Sequence, residues 1–169
     1  MFEIIPNWHP VFVHFTVALV SVSAISYLLG HVLKDYPLGQ ELLTVGRWCL
    51  WFGLLASIAT VSAGFIAYYS VAHDAQSHEA MTIHRNWALL TFSGIFIVTL
   101  WSFWRYFRHT HSSISFIVCM LILFVLITIT AWHGAELVYR YGIGVMSLPS
   151  STESGHHTQA ESSEHTHNH

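Results

Sequence analysis

No charged residue interrupts the stretch ISFIVCMLILFVLITITAW, which occupies residues 114–132. A helix that crosses the hydrocarbon core of a bilayer needs about 20 mostly apolar residues, so this stretch is long enough to span a membrane. Three more uncharged stretches of similar length precede it, at residues 11–29, 48–71 and 87–104. The sequence therefore predicts four transmembrane helices.

Composition supports the membrane class. Only 9% of the residues are charged and 53% are hydrophobic, whereas soluble domains carry about 25% charged residues. Tryptophans favour the membrane–water interface, and all seven fall at or near the ends of the apolar stretches: Trp8, Trp48, Trp51, Trp87, Trp101, Trp104 and Trp132. We expect an all-α, integral membrane four-helix bundle over residues 1–145, with helices at about 10–33, 46–72, 84–106 and 113–141. Gly142 suits a left-handed cap after the fourth helix, and no internal repeat is evident.

The basic residues predict the orientation of the bundle. Four of the six lie in the connections after the first and third helices, namely Lys34, Arg47, Arg105 and Arg108, while Arg85 and Arg140 lie on the opposite side. Because cytoplasmic loops carry the excess of Lys and Arg, both termini are expected outside the cytoplasm.

The composition changes in residues 146–169, which are rich in Ser, Glu and His and nearly devoid of apolar residues. Such a segment cannot bury enough surface to fold, so we expect a disordered tail. Its five histidines are His156, His157, His165, His167 and His169. Histidine-rich tracts bind transition metals, although a solvated tail with incidental affinity is the alternative.

Histidines concentrate on one predicted side of the membrane. Eleven of the 14 fall there when the tail is counted, and those near the helix ends are His9, His14, His73, His78, His84 and His133. Imidazoles close to hydrocarbon are costly and are normally partnered. This pattern indicates a cofactor, a metal or a proton relay at that side.

Our leading interpretation is a b-type haem and an electron-transfer role. Bis-histidine haem needs two imidazoles at similar depth on facing helices, and helix bundles host such cofactors. We expect His14 and His84 as axial ligands, with His133 as a competing ligand and Glu136 orienting it. Glu136 in an ion pair with Arg140 is the alternative. No CxxCH motif occurs, which excludes covalent c-type attachment.

A transition-metal site for Cu, Zn or Ni is the second interpretation, with His9, His73 and the tail histidines as ligands. In the third, the protein is a structural subunit of a membrane complex and the histidines satisfy helix ends. Small residues recur in the second helix at Ala56, Thr60 and Gly64. They permit close helix packing and would also admit a planar ring such as a porphyrin.

No recognisable catalytic motif occurs, which argues against an enzyme, and no basic run suggests a nucleic-acid partner. The expected partners are the lipid bilayer, a respiratory or periplasmic redox protein, and a second copy of the chain.

Three segments resemble the bacterial family of predicted membrane proteins called domain of unknown function 2231 (DUF2231). They are HPVFVHF at residues 9–15, His84 at the head of the third helix, and GAELVYRYGIGV at residues 134–145. The similarity extends from residue 6 to about 145. Ala135 and Tyr141 depart from the family's closing pattern, which usually has glycine and often histidine there. The resemblance implies four helices and a multi-pass protein of the bacterial inner membrane, with no established activity. Relatives that look fused to c-type cytochromes favour a redox role.

Overall fold

The computed structural model describes residues 7–71, 73–108 and 113–145. These contain four α-helices: α1 (His9–Val32), α2 (Pro37–Ser70), α3 (Ala75–Phe107) and α4 (Ile114–Tyr139). All four are long and apolar enough to cross a membrane, so the predicted all-α architecture with four membrane helices is confirmed. The tail at residues 146–169, with the five histidines expected to gather metal, lies outside the described residues.

Two helices begin earlier than the sequence predicts, α2 at Pro37 and α3 at Ala75 instead of about 46 and 84. The apolar stretches mark only the part of each helix that lies in hydrocarbon, and both helices continue into polar sequence. Pro37 occupies the first turn of α2, where its missing N–H costs nothing. Asp74 caps α3: its carboxylate accepts the Ser77 N–H at 2.8 Å, and the Ser77 hydroxyl accepts the Asp74 N–H at 3.0 Å.

The fourth helix ends in the cap that the sequence predicts. Gly142 has φ of 62°, in the left-handed region that glycine favours. Its N–H donates to the Val138 carbonyl at 3.1 Å, and the Ile143 N–H donates to the Leu137 carbonyl at 3.0 Å. Carbonyls at the end of α4 thereby gain partners.

The helices form two hairpins, α1–α2 and α3–α4, which pack through α1 against α4 and α2 against α3. Among the described residues α1 and α3 do not approach closely, so they face each other across the diagonal of the bundle. The innermost side chains come from all four helices and include Val20, Leu50, Ile95, Phe116, Met120 and Leu123. Large apolar side chains such as Leu55 and Ile66 are exposed on the outer surface, where lipid would cover them.

The second hairpin repeats the buried face of the first. Adding 75 to the numbers of six buried residues of α1 gives the numbers of six buried residues of α3. The pairs are Thr16 with Thr91, Val20 with Ile95, Ser23 with Val98, Ala24 with Thr99, Tyr27 with Ser102, and Gly30 with Arg105. A shift of 70 turns Gly46, Leu50, Gly53 and Ser57 of α2 into Phe116, Met120, Leu123 and Ile127 of α4. The two hairpins therefore share one pattern of buried positions, a repeat that the sequence analysis missed.

Equivalent crossings in the two hairpins exchange large and small residues. In the first hairpin Gly53 of α2 lies against Leu19 of α1, and a Cβ there would be 3.6 Å from the Leu19 Cβ. In the second, the glycine is Gly94 of α3 and the leucine is Leu123 of α4. Each crossing keeps one glycine and one leucine, which preserves the helix spacing while hiding the repeat in the sequence.

Gly39→Ala is expected to destabilise the protein by about 1–3 kcal/mol, because an added Cβ would overpack the turn between α1 and α2. That Cβ would lie 2.0 Å from the carbonyl oxygen of Leu33, a backbone atom that cannot rotate away. Gly94→Ala is the control, since its Cβ meets the mobile end of Leu123 at 2.7 Å. Thermal unfolding in detergent measures both, and an equal loss in the two variants would contradict this account of the turn.

Candidate functional site

Two histidine rings meet inside the bundle, near the end where the chain enters α1. The ring centroids of His9 and His84 are 6.2 Å apart, and the planes are nearly perpendicular at 79°. His9 comes from α1 and His84 from the diagonal helix α3. The same shift of 75 residues relates them, so each hairpin contributes one ring to the pair.

Each ring lies against a glycine of its own hairpin. A Cβ at Gly64 of α2 would be 3.0 Å from the Cε1 and Nδ1 atoms of His9, and a Cβ at Gly134 of α4 would be 3.1 Å from the Cε1 atom of His84. Any larger side chain would push the ring aside. The planar ring that fills the small-residue groove of α2 at Gly64 is thus the imidazole of His9.

A backbone carbonyl orients His9. Its Nδ1–H donates to the Thr60 carbonyl at 2.9 Å. Because a carbonyl only accepts, this contact places the proton on Nδ1 and leaves the Nε2 lone pair of the neutral ring free. The hydroxyls of Thr16 and Thr60 are 2.8 Å apart and join α1 to α2 one level deeper.

The second hairpin repeats this arrangement around His84. The hydroxyls of Thr91 and Thr130 are also 2.8 Å apart, and the Thr130 backbone lies beside the His84 ring. The Nδ1 atom of His84 is buried and has no hydrogen-bond partner among the described residues. A buried polar atom without a partner is costly, which marks this ring as the less satisfied member of the pair.

The structure does not pair His14 with His84. His14 is exposed on α1, and its Nδ1 bonds the Pro10 carbonyl of its own helix. The ring that reaches His84 is that of His9, which the sequence analysis had assigned to a separate metal site.

His133 lies beside the pair without joining it. Its ring stacks on Trp87 with centroids 6.1 Å apart, and its Nδ1 is 3.5 Å from a Glu136 carboxylate oxygen. The other oxygen of Glu136 is 2.6 Å from the Arg140 guanidinium. Glu136 therefore contacts His133 and also pairs with Arg140, so both alternatives for this residue are observed.

One comparison with known proteins identifies the family of the chain. The sequence profile of DUF2231, described as a predicted membrane protein, matches residues 6–147. The chain belongs to the DUF2231 family. No curated protein and no solved structure matches it significantly.

The three segments that carry the family resemblance also build the site of this DUF2231 protein. The opening motif supplies His9, the head of the hydrophobic part of α3 supplies His84, and the closing motif supplies Gly134. Sequence reasoning missed Gly134 and Thr130. The signal that could have found them is the spacing they share with Thr60 and Gly64.

A second pair of imidazoles lies at the surface of the same end. The Nδ1–H of His73 donates to the Val71 carbonyl at 2.7 Å, which leaves its Nε2 to accept the Nδ1–H of His78 at 2.9 Å. The Nε2 of His78 lies 3.4 Å from the Tyr68 hydroxyl. His73 is therefore engaged with His78, and both rings are exposed.

Bare metal ions have few ligands here. Within residues 7–71, 73–108 and 113–145, no group of three or more His, Cys, Asp or Glu side chains is placed to hold an ion. A tetrahedral zinc site needs four donors. The donor set that the described residues do supply is the pair of His9 and His84.

The cap of α3 predicts a pH response at this end of the protein. Hydrogen bonds from the Ser77 side chain and backbone lower the pKa of the Asp74 carboxyl below its ordinary value. The stabilisation is therefore present above the unfolded-state pKa and is lost as the pH falls through the lowered value. Hydrogen exchange of the first turn of α3 should accelerate in Asp74→Ala at neutral pH, whereas Asp74→Asn should keep the cap and lose only the acid dependence. Identical acid profiles for wild type and Asp74→Asn would refute this assignment.

Proposed function

We propose that His9 and His84 are the axial ligands of a non-covalent b-type haem, and that the protein is an electron-transfer module of the bacterial inner membrane. The observation that carries the proposal is the spacing of the two rings. An imidazole nitrogen binds a transition metal at about 2.0–2.1 Å, so two rings on opposite sides of one metal have centroids about 6 Å apart. The His9 and His84 centroids are 6.2 Å apart.

The tautomer of His9 supports ligation. Histidine ligands commonly donate the second ring N–H to a carbonyl, which fixes the ring and raises its basicity. His9 does this through Nδ1 and Thr60, so Nε2 is the atom available to a metal. The equivalent residue of the second hairpin, Thr130, lies beside the His84 ring, although the Nδ1 of that ring has no hydrogen-bond partner among the described residues.

The number of donors favours haem over a bare ion. A porphyrin brings four nitrogens of its own and needs two further ligands from the protein. A bare zinc ion would need more donors than the described residues place together. When bound, the haem would supply a one-electron couple, and the Glu136 carboxylate and the His133 ring beside His84 would influence its potential.

Location suggests the partners. The pair lies near the end of the bundle that carries both termini of the four-helix domain, which the distribution of basic residues assigns to the periplasmic side. Electrons would then be exchanged with a respiratory or periplasmic redox protein. A second copy of the chain is a further candidate partner, because many large apolar side chains are exposed on the outer helix surfaces.

The proposal predicts a b-type spectrum for protein purified in detergent after expression with added haem precursor. Reduction with dithionite should sharpen the α-band. His9→Leu and His84→Leu should each lose most of the bound haem, since one axial ligand remains. His14→Leu is the matched control, because that ring lies outside the pair on the same helix, and it should retain haem at the wild-type level.

Several outcomes would reject haem ligation by this pair. One is wild-type protein that folds, elutes as a single species and binds no haem; another is loss of haem in His14→Leu with retention in His9→Leu. Size exclusion and thermal unfolding of every variant separate loss of ligand from loss of fold. Wild-type unfolding behaviour in both pair variants, with no haem in any, would favour the structural-subunit interpretation.

The two glycines that lie against the histidine rings give an independent prediction. Gly64→Ala and Gly134→Ala should each lower haem occupancy or shift the midpoint potential, because the new Cβ displaces a ligand ring. Gly53→Ala is the control, since its Cβ would meet Val20 at 3.2 Å and no histidine. Spectroelectrochemical titration measures the effect. A larger shift of the midpoint potential in Gly53→Ala than in Gly64→Ala and Gly134→Ala would oppose the proposal.

A further inference from the structure

The end of the bundle opposite the histidine pair carries a guanidinium held against aromatic rings. The guanidinium of Arg47 lies 4.7 Å from the Tyr106 ring centroid and 5.8 Å from that of Trp51. Trp51 stacks on Phe103 at 4.2 Å and donates its indole N–H to the Ser102 hydroxyl at 3.2 Å. Arg47 therefore rests on a braced aromatic wall at the seam between α2 and α3.

The contacts of Arg47 leave hydrogen-bonding capacity unused. Its Nε atom is buried and has no hydrogen-bond partner among the described residues. The ion pairs within those residues involve Glu136, at the opposite end of the bundle. Arginine stays protonated in proteins, and a cation next to hydrocarbon normally has an anionic or carbonyl partner. An acceptor from outside the chain would meet this need.

A second cation raises the positive potential at this site. Arg105 is only 8% exposed, and its guanidinium lies 4.5 Å from the Phe116 ring centroid. Phe116 also packs on Tyr27, with ring centroids 4.8 Å apart, and Tyr27 lies against Gly46, the neighbour of Arg47, where a Cβ would be 3.0 Å from its Cδ2 atom. Two guanidiniums near one buried tyrosine create a local field that attracts anions.

The depth of Arg47 identifies the class of anion. Arg47 immediately precedes the apolar stretch at residues 48–71. Around it the half-exposed rings of Trp48, Trp104 and Tyr106 form the aromatic belt expected at the level of lipid headgroups. The anion abundant at this level is the phosphodiester of a phospholipid, which a guanidinium fork binds through two parallel hydrogen bonds.

We propose that Arg47, at the α2–α3 seam, binds the phosphate of an anionic phospholipid, with Arg105 adding to the attraction. An anionic headgroup suits the site better than a zwitterionic one, because choline would bring a third positive charge beside the two guanidiniums. Basic pockets between membrane helices bind such headgroups in the same way. This site is independent of the proposed haem function.

The test is thermal unfolding of full-length protein in a neutral detergent, titrated with dioleoylphosphatidylglycerol. Dioleoylphosphatidylcholine and sodium phosphate form the comparison arms. Phosphatidylglycerol should raise the midpoint in proportion to the logarithm of its concentration once that exceeds the dissociation constant, as any ligand that binds only the folded state does. Arg47→Gln should weaken the apparent affinity by about tenfold or more, the loss expected for one charge-assisted contact.

Arg108→Gln is the matched control, since Arg108 is exposed at the same end and lies 5.9 Å from the Trp104 ring centroid. It should bind phosphatidylglycerol like the wild type, and Arg47→Lys should recover part of the affinity. Equal responses to the two phospholipids, or equal losses in the Arg47 and Arg108 variants, would overturn the proposal. A full response to sodium phosphate would identify a soluble phosphate ligand and overturn the lipid assignment.

Discussion

The end of the bundle that holds the histidine pair depends on one contact, an imidazole that reaches a helix carbonyl through the gap left by a glycine. In an α-helix the carbonyl of residue i accepts the N–H of residue i+4, and the side chain at i+4 lies close to that carbonyl. Thr60 and Gly64 stand in this relation, so the missing side chain exposes the second lone pair of the Thr60 oxygen to His9. The glycine that makes room for the His9 ring and the carbonyl that accepts its N–H thus belong to one turn of α2. It allows a polar ring to be placed next to hydrocarbon with its N–H satisfied.

Repetition of the histidine and of the glycine against its ring brings the two rings together. Thr130 and Gly134 repeat the spacing of Thr60 and Gly64, and His84 repeats the position of His9. His9 and His84 come from different hairpins and meet between them. A group held between the two hairpins therefore receives one ligand from each. The copies are not identical around the pair. The position equivalent to Ala63 is His133, so the half of the site around His84 carries an extra imidazole and the Glu136 carboxylate.

The membrane helices could be predicted because apolar length and tryptophan position are local properties of the sequence. Predicting which histidine lies beside His84 requires knowing which face of α1 points into the bundle. His9 and His14 differ by five residues, which places them about 140° apart around a helix, and only one can face the interior. Thr16 and Val20 lie 7 and 11 residues after His9, close to two and three full turns, and both are buried. The buried residues in line with His9 indicate that face of α1. The sequence analysis favoured His14 instead, because His14 lies deeper in the apolar stretch.

The repeat was harder to see, for a physical reason. At the crossing of Leu19 and Gly53 the two hairpins conserve the summed side-chain volume, because a bundle keeps its spacing when a leucine and a glycine exchange places. Leu19 with Gly53 corresponds to Gly94 with Leu123, so aligned residues differ while the packing agrees. The histidine, the two threonines and the glycine against the histidine ring are identical in the two copies, as are Cys49 with Cys119 and Tyr69 with Tyr139.

The two ends of the bundle solve the problem of polar groups in a membrane in different ways. At the end with the histidine pair, the N–H of the His9 imidazole is satisfied by a backbone carbonyl of the protein itself. At the opposite end the guanidinium of Arg47 is packed on aromatic rings and retains a buried donor, which the proposed lipid phosphate would satisfy. A phosphate held there would fix the depth of the bundle relative to the headgroups. Depth in turn sets the dielectric around His9 and His84, and solvent access and dielectric are among the factors that set the potential of a metal bound between two imidazoles.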